Sequence, residues 1–363
     1  MLRRHIPGYN FVGNPATGTT FRWGDTFADN PDLAPWPELA DISISNYCTN
    51  GCRYCYRSSN PDGQCMSLQD YRFALDQLTS TAYGSIFQVA LGGGEPLLHP
   101  EFTDLLQLTR EERGIVPNYT TCGKFFNHKN IEATRAYCGA IAISWDPYRD
   151  SMPLQELSRL GSYLKDEGIR TNIHYVMSET TLAHATAVLR GEYDAYIGQF
   201  NSVIFLTYKP AGRADGSDNI RSSSLLQTFL ASVEHPATVL KIGFDACFVP
   251  SLLKATNVDH DLIDSCECGF FSIYINESLD VMPCSFCNND KFSFNLRQFS
   301  FEEIWHDKLS DYRKQVGTTG QSGCAGCSKT SDCRGRCLLF PELFLCDLIT
   351  QPSSLPFHHG QSA

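Results

Sequence analysis

Three cysteines, Cys48, Cys52 and Cys55, lie in one short stretch of the sequence with the spacing C-x3-C-x2-C. Cysteines this close can converge on one centre as thiolates, which favour zinc, cuprous copper or iron-sulfur clusters over hard cations. A structural zinc site is closed by four protein ligands, whereas three cysteines on a 4Fe-4S cluster would leave one iron open. The spacing therefore predicts an open cluster that does chemistry, with half of a zinc knuckle or a chance cluster as the alternatives.

A glycine run follows, after one predicted helix and one predicted strand. Gly92, Gly93, Gly94, Glu95 and Pro96 come directly after an apolar segment at residues 86–91. Glycines at a strand end let the backbone approach a ligand closely, although a tight turn would explain a glycine run on its own equally well. The order of the two motifs along the chain favours a ligand site.

Together the two motifs resemble the radical S-adenosylmethionine (SAM) superfamily, in which the residue before the last cysteine is often aromatic, as Tyr54 is here. The resemblance implies that the open iron chelates the amine and carboxylate of SAM. It also implies that the Gly93–Pro96 element meets the SAM amine, so we expect a side chain at Gly94 to occupy the space of the SAM methionine. Ser144 matches a position that contacts the SAM ribose, and its alternative role is that of a buried, hydrogen-bonded strand serine.

Ten of the sixteen cysteines lie in the C-terminal third of the chain, from Cys247 to Cys346. The pattern C-x2-C-x5-C-x3-C, followed by one further cysteine, is the most specific feature there, and it consists of Cys324, Cys327, Cys333, Cys337 and Cys346. Paired C-x2-C spacings are equally good zinc ligands. Spacing alone therefore leaves zinc and iron-sulfur clusters open.

This pattern resembles the SPASM extension of certain radical SAM enzymes, which carries two auxiliary 4Fe-4S clusters. By that resemblance the first auxiliary cluster uses Cys284 and Cys337 with two of Cys247, Cys266 and Cys268, of which we favour Cys247 and Cys266. The second uses a full set of four: Cys324, Cys327, Cys333 and Cys346. The sequence departs from the family in lacking a glycine upstream of Cys284. The remaining cysteines, Cys65, Cys122, Cys138 and Cys287, are expected to be small core residues for the most part.

Strand and helix patterns alternate through the first two thirds of the chain, which indicates parallel strands joined by crossover helices. We predict an α/β fold, a partial (β/α)6 TIM-type barrel with a C-terminal cysteine-rich auxiliary-cluster domain. The domains are an N-terminal arm (1–40), a radical SAM barrel (41–236) and a SPASM-like region (237–363). The predicted strands are 40–45, 86–91, 117–121, 140–145, 171–177 and 202–206, and the helices begin at Ser67 or cover 131–137, 154–165, 183–190 and 225–233. Such barrels place their chemistry at the carboxyl ends of the strands.

The amino-acid composition limits which classes of partner the protein can bind. The formal net charge of −11, with no run of basic residues, makes nucleic acid an unlikely partner. We find no secretory segment and no apolar run of ~18 residues, so we expect no membrane association and a reducing cytoplasm, where clustered cysteines bind metals or clusters rather than form disulfides.

The resemblance implies an enzyme that reductively cleaves SAM to a 5′-deoxyadenosyl radical and modifies a ribosomally made precursor peptide by hydrogen abstraction. The expected cofactors are SAM and three 4Fe-4S clusters, one SAM-binding and two auxiliary. The expected partners are the precursor peptide, an electron donor resembling flavodoxin or ferredoxin and a separate leader-recognition protein, because the stretch before the barrel is short. Ser285 stands where sulfatase-maturing relatives have an aspartate, which argues against that branch. The alternatives are a radical SAM enzyme acting on a small metabolite or tRNA, and a non-catalytic metal-binding protein.

Overall fold

The structure is a computed structural model that describes residues 1–147, 152–259, 262–318, 324, 327–329 and 333–349. Its central feature is one ten-stranded sheet in the order β12-β11-β10-β9-β8-β7-β4-β13-β14-β15. The first eight of these strands run parallel to their neighbours, and β14 and β15 are antiparallel additions. The strands are β4 Leu39–Ser45, β7 Gln88–Gly93, β8 Val116–Thr121, β9 Ile141–Ser144, β10 Thr171–Met177, β11 Ser202–Thr207, β12 Lys241–Phe244, β13 Ser272–Ile275, β14 Asp280–Met282 and β15 Phe294–Asn295.

Helices connect these strands, as parallel pairing requires. The α-helices are α1 Leu68–Gln77, α2 Phe102–Gln107, α3 His128–Tyr137, α4 Leu154–Asp166, α5 Leu182–Leu189, α6 Asp194–Ile197, α7 Ser223–Glu234, α8 Val249–Ala255, α9 Phe301–Glu303 and α10 Ser310–Thr318. π-helical turns extend α2 (Leu108–Glu112) and α9 (Ile304–Lys308), and short 3-10 turns cover Pro96–Leu98, Gly216–Asp218, Asp290–Phe292, Pro341–Leu343 and Leu345–Leu348. Among the described residues, no helix combines the length and apolar character needed to cross a membrane.

One face of the parallel strands packs in the core and the other lines a cavity, as strand β10 illustrates. Ile173, Tyr175 and Met177 are fully buried in the core, whereas the alternate residues His174 and Val176 line an interior cavity. Successive side chains of a strand point to opposite faces, so one face packs under the helices and the other surrounds the cavity. The alternation therefore places polar side chains inside the barrel.

The predicted fold class is confirmed, and the six predicted strands are present within a few residues of their expected bounds. The parallel sheet extends beyond the six predicted barrel strands, because β12 adds beyond β11 and β13 adds beside β4. The sequence analysis did not predict α2 or α8. The domain bounds at residues 40 and 236 remain predictions, although the sheet is continuous across the second of them.

Residues 2–23 form a small antiparallel sheet that the sequence analysis treated only as an extended arm. Its strands are β1 Leu2–Ile6, β2 Tyr9–Gly13 and β3 Thr20–Trp23, and a further two-stranded ribbon pairs β5 Thr79–Ser80 with β6 Gly84–Ser85. The guanidinium of Arg22 on β3 contacts Glu38 at 3.1 Å and Glu267 at 2.9 Å and lies 3.7 Å from the ring centroid of Phe271. The arm therefore packs against the cysteine-rich region as well as against the barrel.

Trp305 joins the N-terminal arm to the C-terminal region and provides a test of this arrangement. Its side chain is fully buried and donates a hydrogen bond to the carbonyl of Ala34, while Arg313 packs over the ring at 4.6 Å. We expect Trp305→Ala to lower the free energy of unfolding by ~3–5 kcal/mol, because it removes a large side chain from a packed core.

Urea denaturation followed by circular dichroism measures the effect. Tyr163→Ala is the matched control, since Tyr163 on α4 is 44% exposed and should change the free energy of unfolding by no more than ~0.5 kcal/mol. Equal losses in the two variants would contradict the packing described for Trp305.

Candidate active site

A cavity of about 400 Å³ opens at the carboxyl ends of the parallel strands, within the range of about 300–1,000 Å³ usual for ligand sites. Its wall is made by strand ends, by residues 46–59, which we call the cysteine loop, and by residues 285–286 of the C-terminal region. Of the site residues predicted from the sequence, the following line it: Cys48, Cys52, Tyr54, Cys55, Gly93, Gly94, Glu95 and Ser144. Pro96 is buried just behind Glu95 as the first residue of a 3-10 turn.

The three sulfurs of the cysteine loop each accept a hydrogen bond from a local N–H group. The backbone N–H of Asn50 donates to Cys48 Sγ at 3.4 Å, its Nδ2 donates to Cys52 Sγ at 3.0 Å, and the backbone N–H of Ser59 donates to Cys55 Sγ at 3.4 Å. Such donors stabilise thiolates over thiols. Burial opposes this at Cys48, where it raises the pKa of the thiol above its ordinary value.

This donor set fits an iron-sulfur cluster better than a single metal ion. Within the described part of the chain, no three His, Cys, Asp or Glu side chains converge closely enough to hold one metal ion. A zinc ion requires its sulfurs about 2.3 Å from one centre, whereas a 4Fe-4S cluster places each cysteine on a different iron. Three cysteines on the wall of one cavity would hold such a cluster with its fourth iron facing the cavity.

The segment after the sixth predicted strand, at residues 209–214, holds the cysteine loop in place. Gly212 adopts φ +64°, and a Cβ atom there would lie 2.5 Å from the carbonyl oxygen of Cys55. Its neighbour Arg213 donates from the backbone to the Cys55 carbonyl at 3.0 Å, and from its guanidinium to the carbonyls of Cys52 (2.8 Å and 3.0 Å) and Ser59 (2.7 Å). Because a guanidinium fixes several acceptors in one plane, Arg213 sets the shape of the loop that carries the cysteines.

We therefore expect Arg213→Ala to weaken the binding of iron in the cysteine loop without unfolding the barrel. The loss of three hydrogen bonds to loop carbonyls should cost ~2–3 kcal/mol of loop order. In reconstituted protein challenged with a chelator, the variant should lose the loop's iron several times faster than the wild type.

Arg221→Ala is the matched control, because Arg221 is exposed, lies near Arg213 in sequence and contacts Gly216 rather than the cysteine loop. If Arg213→Ala releases iron no faster than Arg221→Ala and the wild type, the role given to Arg213 is wrong.

The glycine run packs against the same loop from the other side. Gly94 donates to the Ser45 carbonyl at 2.6 Å, and a Cβ atom on Gly94 would lie 2.1 Å from the Tyr47 carbonyl oxygen. Gly93 adopts φ +104°, and a Cβ atom there would lie 2.1 Å from the Ser45 carbonyl oxygen. The sequence predicts that a side chain at Gly94 enters the space of SAM. In the structure, the Cβ atom of such a side chain would instead meet the backbone that leads into Cys48. These glycines permit strand β7 to pack directly against that backbone.

Gly92 offers the contrast that tests this. It lines the cavity, and a Cβ atom there would meet nothing within 4 Å. We expect Gly92→Val to fold but to bind SAM more weakly, since the side chain can extend into cavity space, and Gly94→Val to lose thermal stability because the backbone must move.

Thermal unfolding and SAM binding by isothermal titration, measured on both variants, separate the two effects. A stable Gly94→Val protein with unchanged SAM affinity would contradict the packing described here.

Glu95 is fixed by three neutral donors beneath the glycine run. Its buried carboxylate accepts from the hydroxyl of Thr121 at 2.6 Å, from the backbone N–H of Cys122 at 2.9 Å and from that of Leu97 at 3.2 Å. These contacts hold the carboxylate at the edge of the cavity in one orientation. Such a group can accept a hydrogen bond from an amine of a bound ligand.

Tyr54 and Ser144 lie on other parts of the wall. Tyr54 packs edge-on against Tyr208 with ring centroids 5.6 Å apart. Ser144 is the last residue of β9 and pairs in register with His174 of β10, which also lines the cavity. Asp146, two residues after Ser144, is buried. The structure thus brings the predicted residues to a single cavity, and their individual ligand contacts remain predictions.

A buried ion pair on the cavity wall escaped the sequence analysis. Lys209 Nζ contacts Asp245 Oδ2 at 2.7 Å, and Thr207 donates to the other oxygen of Asp245 at 2.7 Å. Burial disfavours the charged lysine, yet the adjacent Asp245 raises the pKa of Lys209 overall. Phe286, from the C-terminal region, lies 4.6 Å from the ammonium. A polar residue just after each of two adjacent strands was the only sequence signal for this pair.

The C-terminal cysteines lie in two neighbourhoods, and their assignment to clusters remains a prediction. Burial raises the pKa of Cys346 to about 12, and the nearby thiols of Cys333, Cys324 and Cys327 act in the same direction. The other neighbourhood comprises Cys247, Cys266, Cys268, Cys284 and Cys337. There, burial and the adjacent thiols raise the pKa values of Cys247 and Cys337, and hydrogen bonds with the adjacent thiols raise that of Cys268. Cys268 lies beside both Cys266 and Cys284, so geometry does not single out the pair that we favoured. Of the remaining cysteines, Cys287 is buried and Cys122 lines the cavity.

Comparison with known proteins agrees with this geometry. Residues 42–136 match the sequence model of the radical SAM superfamily. The chain is 23% identical over 306 residues to mycofactocin maturase MftC of Mycolicibacterium smegmatis, covering 80% of this chain and 75% of that protein. It is 26% identical over 105 residues to a probable GTP 3′,8-cyclase of Methanocaldococcus jannaschii, covering 29% of this chain and 35% of that protein.

Solved structures share the fold. SuiB of Streptococcus suis bound to S-adenosylmethionine aligns with a TM-score of 0.66 at 16% identity, covering 85% of this chain and 74% of that chain. The enzyme anSMEcpe with bound AdoMet and the Cp18Cys peptide aligns with a TM-score of 0.62 at 18% identity, covering 82% of this chain and 88% of that chain. Residues 42–136, which hold the cysteine loop and the glycine run, thus match the radical SAM sequence model, and the solved structures share the fold of the parallel barrel.

Proposed function

We propose that the protein is a radical SAM enzyme that modifies a ribosomally made precursor peptide by hydrogen abstraction. The observation that carries the proposal is the convergence of the cysteine loop and the glycine run on one cavity inside a parallel barrel. The similar proteins support the substrate class: MftC is a maturase, SuiB has been solved bound to its precursor peptide SuiA, and anSMEcpe has been solved with a peptide.

In this proposal Cys48, Cys52 and Cys55 hold a 4Fe-4S cluster through their thiolates. When bound, the cluster and SAM supply an electron and a 5′-deoxyadenosyl group that together generate the abstracting radical. The protein's own contribution is to position the cluster ligands and the groups that contact SAM. Arg213 fixes the loop carbonyls, and Glu95, held by its three donors, offers an acceptor at the cavity edge.

The two C-terminal cysteine groups would hold the auxiliary clusters. We assign Cys324, Cys327, Cys333 and Cys346 to one cluster, which four thiolates close. The other takes Cys284 and Cys337 with two of Cys247, Cys266 and Cys268. The ion pair of Lys209 and Asp245 lies near both the cavity and the group that contains Cys247, since Lys209 lines the cavity and acts on the pKa of Cys247.

The finer partners belong to the same proposal. An electron donor resembling flavodoxin or ferredoxin would reduce the open cluster, and a separate recognition protein would deliver the leader of the precursor. We further propose that the protein works in a reducing cytoplasm, apart from membranes and nucleic acid. The net charge of −11 supports the last point.

Replacement of Cys48, Cys52 and Cys55 by alanine tests the first step. We expect the triple variant, reconstituted anaerobically with iron and sulfide, to fold and to keep the iron of its auxiliary sites. With SAM and dithionite it should form no 5′-deoxyadenosine, because no iron would be held at the cavity. Chromatography of the reaction mixture measures the product.

Replacement of Cys65 and Cys138 by alanine serves as the control, since neither lines the cavity. Undiminished formation of 5′-deoxyadenosine by the triple variant would disprove the assigned site. Co-expression with small open reading frames from the same gene neighbourhood, followed by mass spectrometry of the peptides, tests the substrate class.

A further inference from the structure

The inner face of strand β4 carries a carboxylate, Asp41, that the proposed chemistry of the cluster and SAM does not use. It lines the cavity, and in register it lies between Ala90 of β7 and Tyr274 of β13. Burial raises the pKa of Asp41 to about 6, and no neighbouring cation or donor in the described chain lowers it. At neutral pH the carboxyl group is therefore largely ionised, and it has no hydrogen-bond or ion-pair partner among the residues that the structure describes.

Asp41 lies deeper in the barrel than the elements that resemble SAM contacts. It is level with Ala90 of β7, which comes three residues before Gly93. Ala90 pairs with Asn118 of β8, and Ser144 of β9 lies further toward the carboxyl ends of the strands. At ~3.3 Å per residue the offset along the strand is about 10 Å. The carboxylate is therefore at the inner end of the cavity, deeper than the glycine run, where the tip of a long substrate side chain would reach it.

Two tyrosines complete this part of the wall. Among the described residues the buried Tyr274 hydroxyl has no hydrogen bond of normal geometry, although the nearby Ser43 side chain opposes the rise in the pKa of Tyr274 that burial causes. Tyr56 lines the cavity as well and lies near Asp41. A buried hydroxyl without a partner is costly unless a ligand provides one.

The cations near this wall are already paired. Lys209 contacts Asp245 at 2.7 Å, and Arg57 contacts Glu277 at 2.6 Å. The charge of Asp41 therefore has no counterion among them. A buried carboxylate without a counterion is unfavourable, so the site favours a positively charged ligand, and the small side chain of Ala90 leaves room for one.

We propose that Asp41, Tyr56 and Tyr274 bind a cationic side chain, an ammonium or guanidinium group, of the peptide substrate. The proposal rests on the peptide-modifying function proposed above and adds a determinant of its specificity. The Asp41 carboxylate accepts hydrogen bonds from the cation and offsets its charge, and the Tyr274 hydroxyl gains a partner.

Binding of two blocked tripeptides to the reconstituted full chain, in the presence of SAM, tests this. Ac-Gly-Lys-Gly-NH2 and Ac-Gly-norleucine-Gly-NH2 have unbranched side chains of similar length, and only the first carries a charge. By isothermal titration we expect the wild type to bind the lysine peptide about tenfold more tightly, as one charge-assisted hydrogen bond allows. Asp41→Asn should abolish that preference, and Tyr274→Phe should reduce it.

Asp104→Asn, at an exposed site on α2, is the matched control and should keep the preference. Equal binding of the two peptides by the wild type, or an undiminished preference in Asp41→Asn, would overturn the proposal. If Asp41→Asn fails to fold, Tyr274→Phe, which removes only a hydroxyl, decides the question by the same criterion.

A second arm separates the two sources of positive charge, since SAM is itself a cation. SAM affinity of Asp41→Asn should stay within about twofold of the wild type; a tenfold loss would assign the carboxylate to SAM and refute the peptide site. Failure of the proposed function would appear separately, as absence of 5′-deoxyadenosine from SAM and dithionite. The binding preference does not depend on SAM cleavage.

Discussion

The active site depends on backbone packing around a loop that has no regular structure of its own. Residues 46–59 are held by carbonyl contacts: the end of strand β7 packs against Ser45 and Tyr47, and Gly212 and Arg213 pack against Cys52 and Cys55. Only glycine allows approaches this close. The cysteine spacing provides the ligands, and the glycines and Arg213 fix where those ligands face. Substitution at the packing positions should therefore disturb the site even though every cysteine is kept.

The C-terminal region is part of the same structure. Strand β13 pairs in parallel with β4, the strand that leads into the cysteine loop. In the hairpin that follows, Glu277 contacts Arg57 of the loop at 2.6 Å and accepts from Ser43 of β4 at 2.8 Å. Phe286 completes the cavity wall beside Lys209. Any change at the auxiliary cysteines that shifts this hairpin would therefore reach the cavity directly, through covalent and hydrogen-bonded neighbours.

The sequence predicted the parallel core and the cavity residues, because strand periodicity and ligand spacing are local properties. Thr171–Met177 was predicted to the residue, since its apolar positions alternate without interruption. Long-range pairing has no such signal, and so the place of β13 beside β4 was missed. The inner face of β4 was visible in the sequence. The apolar residues Ile42 and Ile44 indicate a strand, and the alternating polar residues Asp41 and Ser43 form the face that lines the cavity. The role of Gly94 was misjudged because its neighbour, Tyr47, is distant in sequence.

The central claim is that the three cysteines hold a cluster whose fourth iron faces the cavity and binds SAM there. Electron-nuclear double resonance on the reduced protein, with SAM labelled by 15N at its amine and 17O at its carboxylate, tests this most directly. The account predicts hyperfine coupling of both labels to the cluster in the wild type and its loss when Cys48, Cys52 and Cys55 are replaced. A reduced cluster that binds SAM without coupling to either label would contradict it.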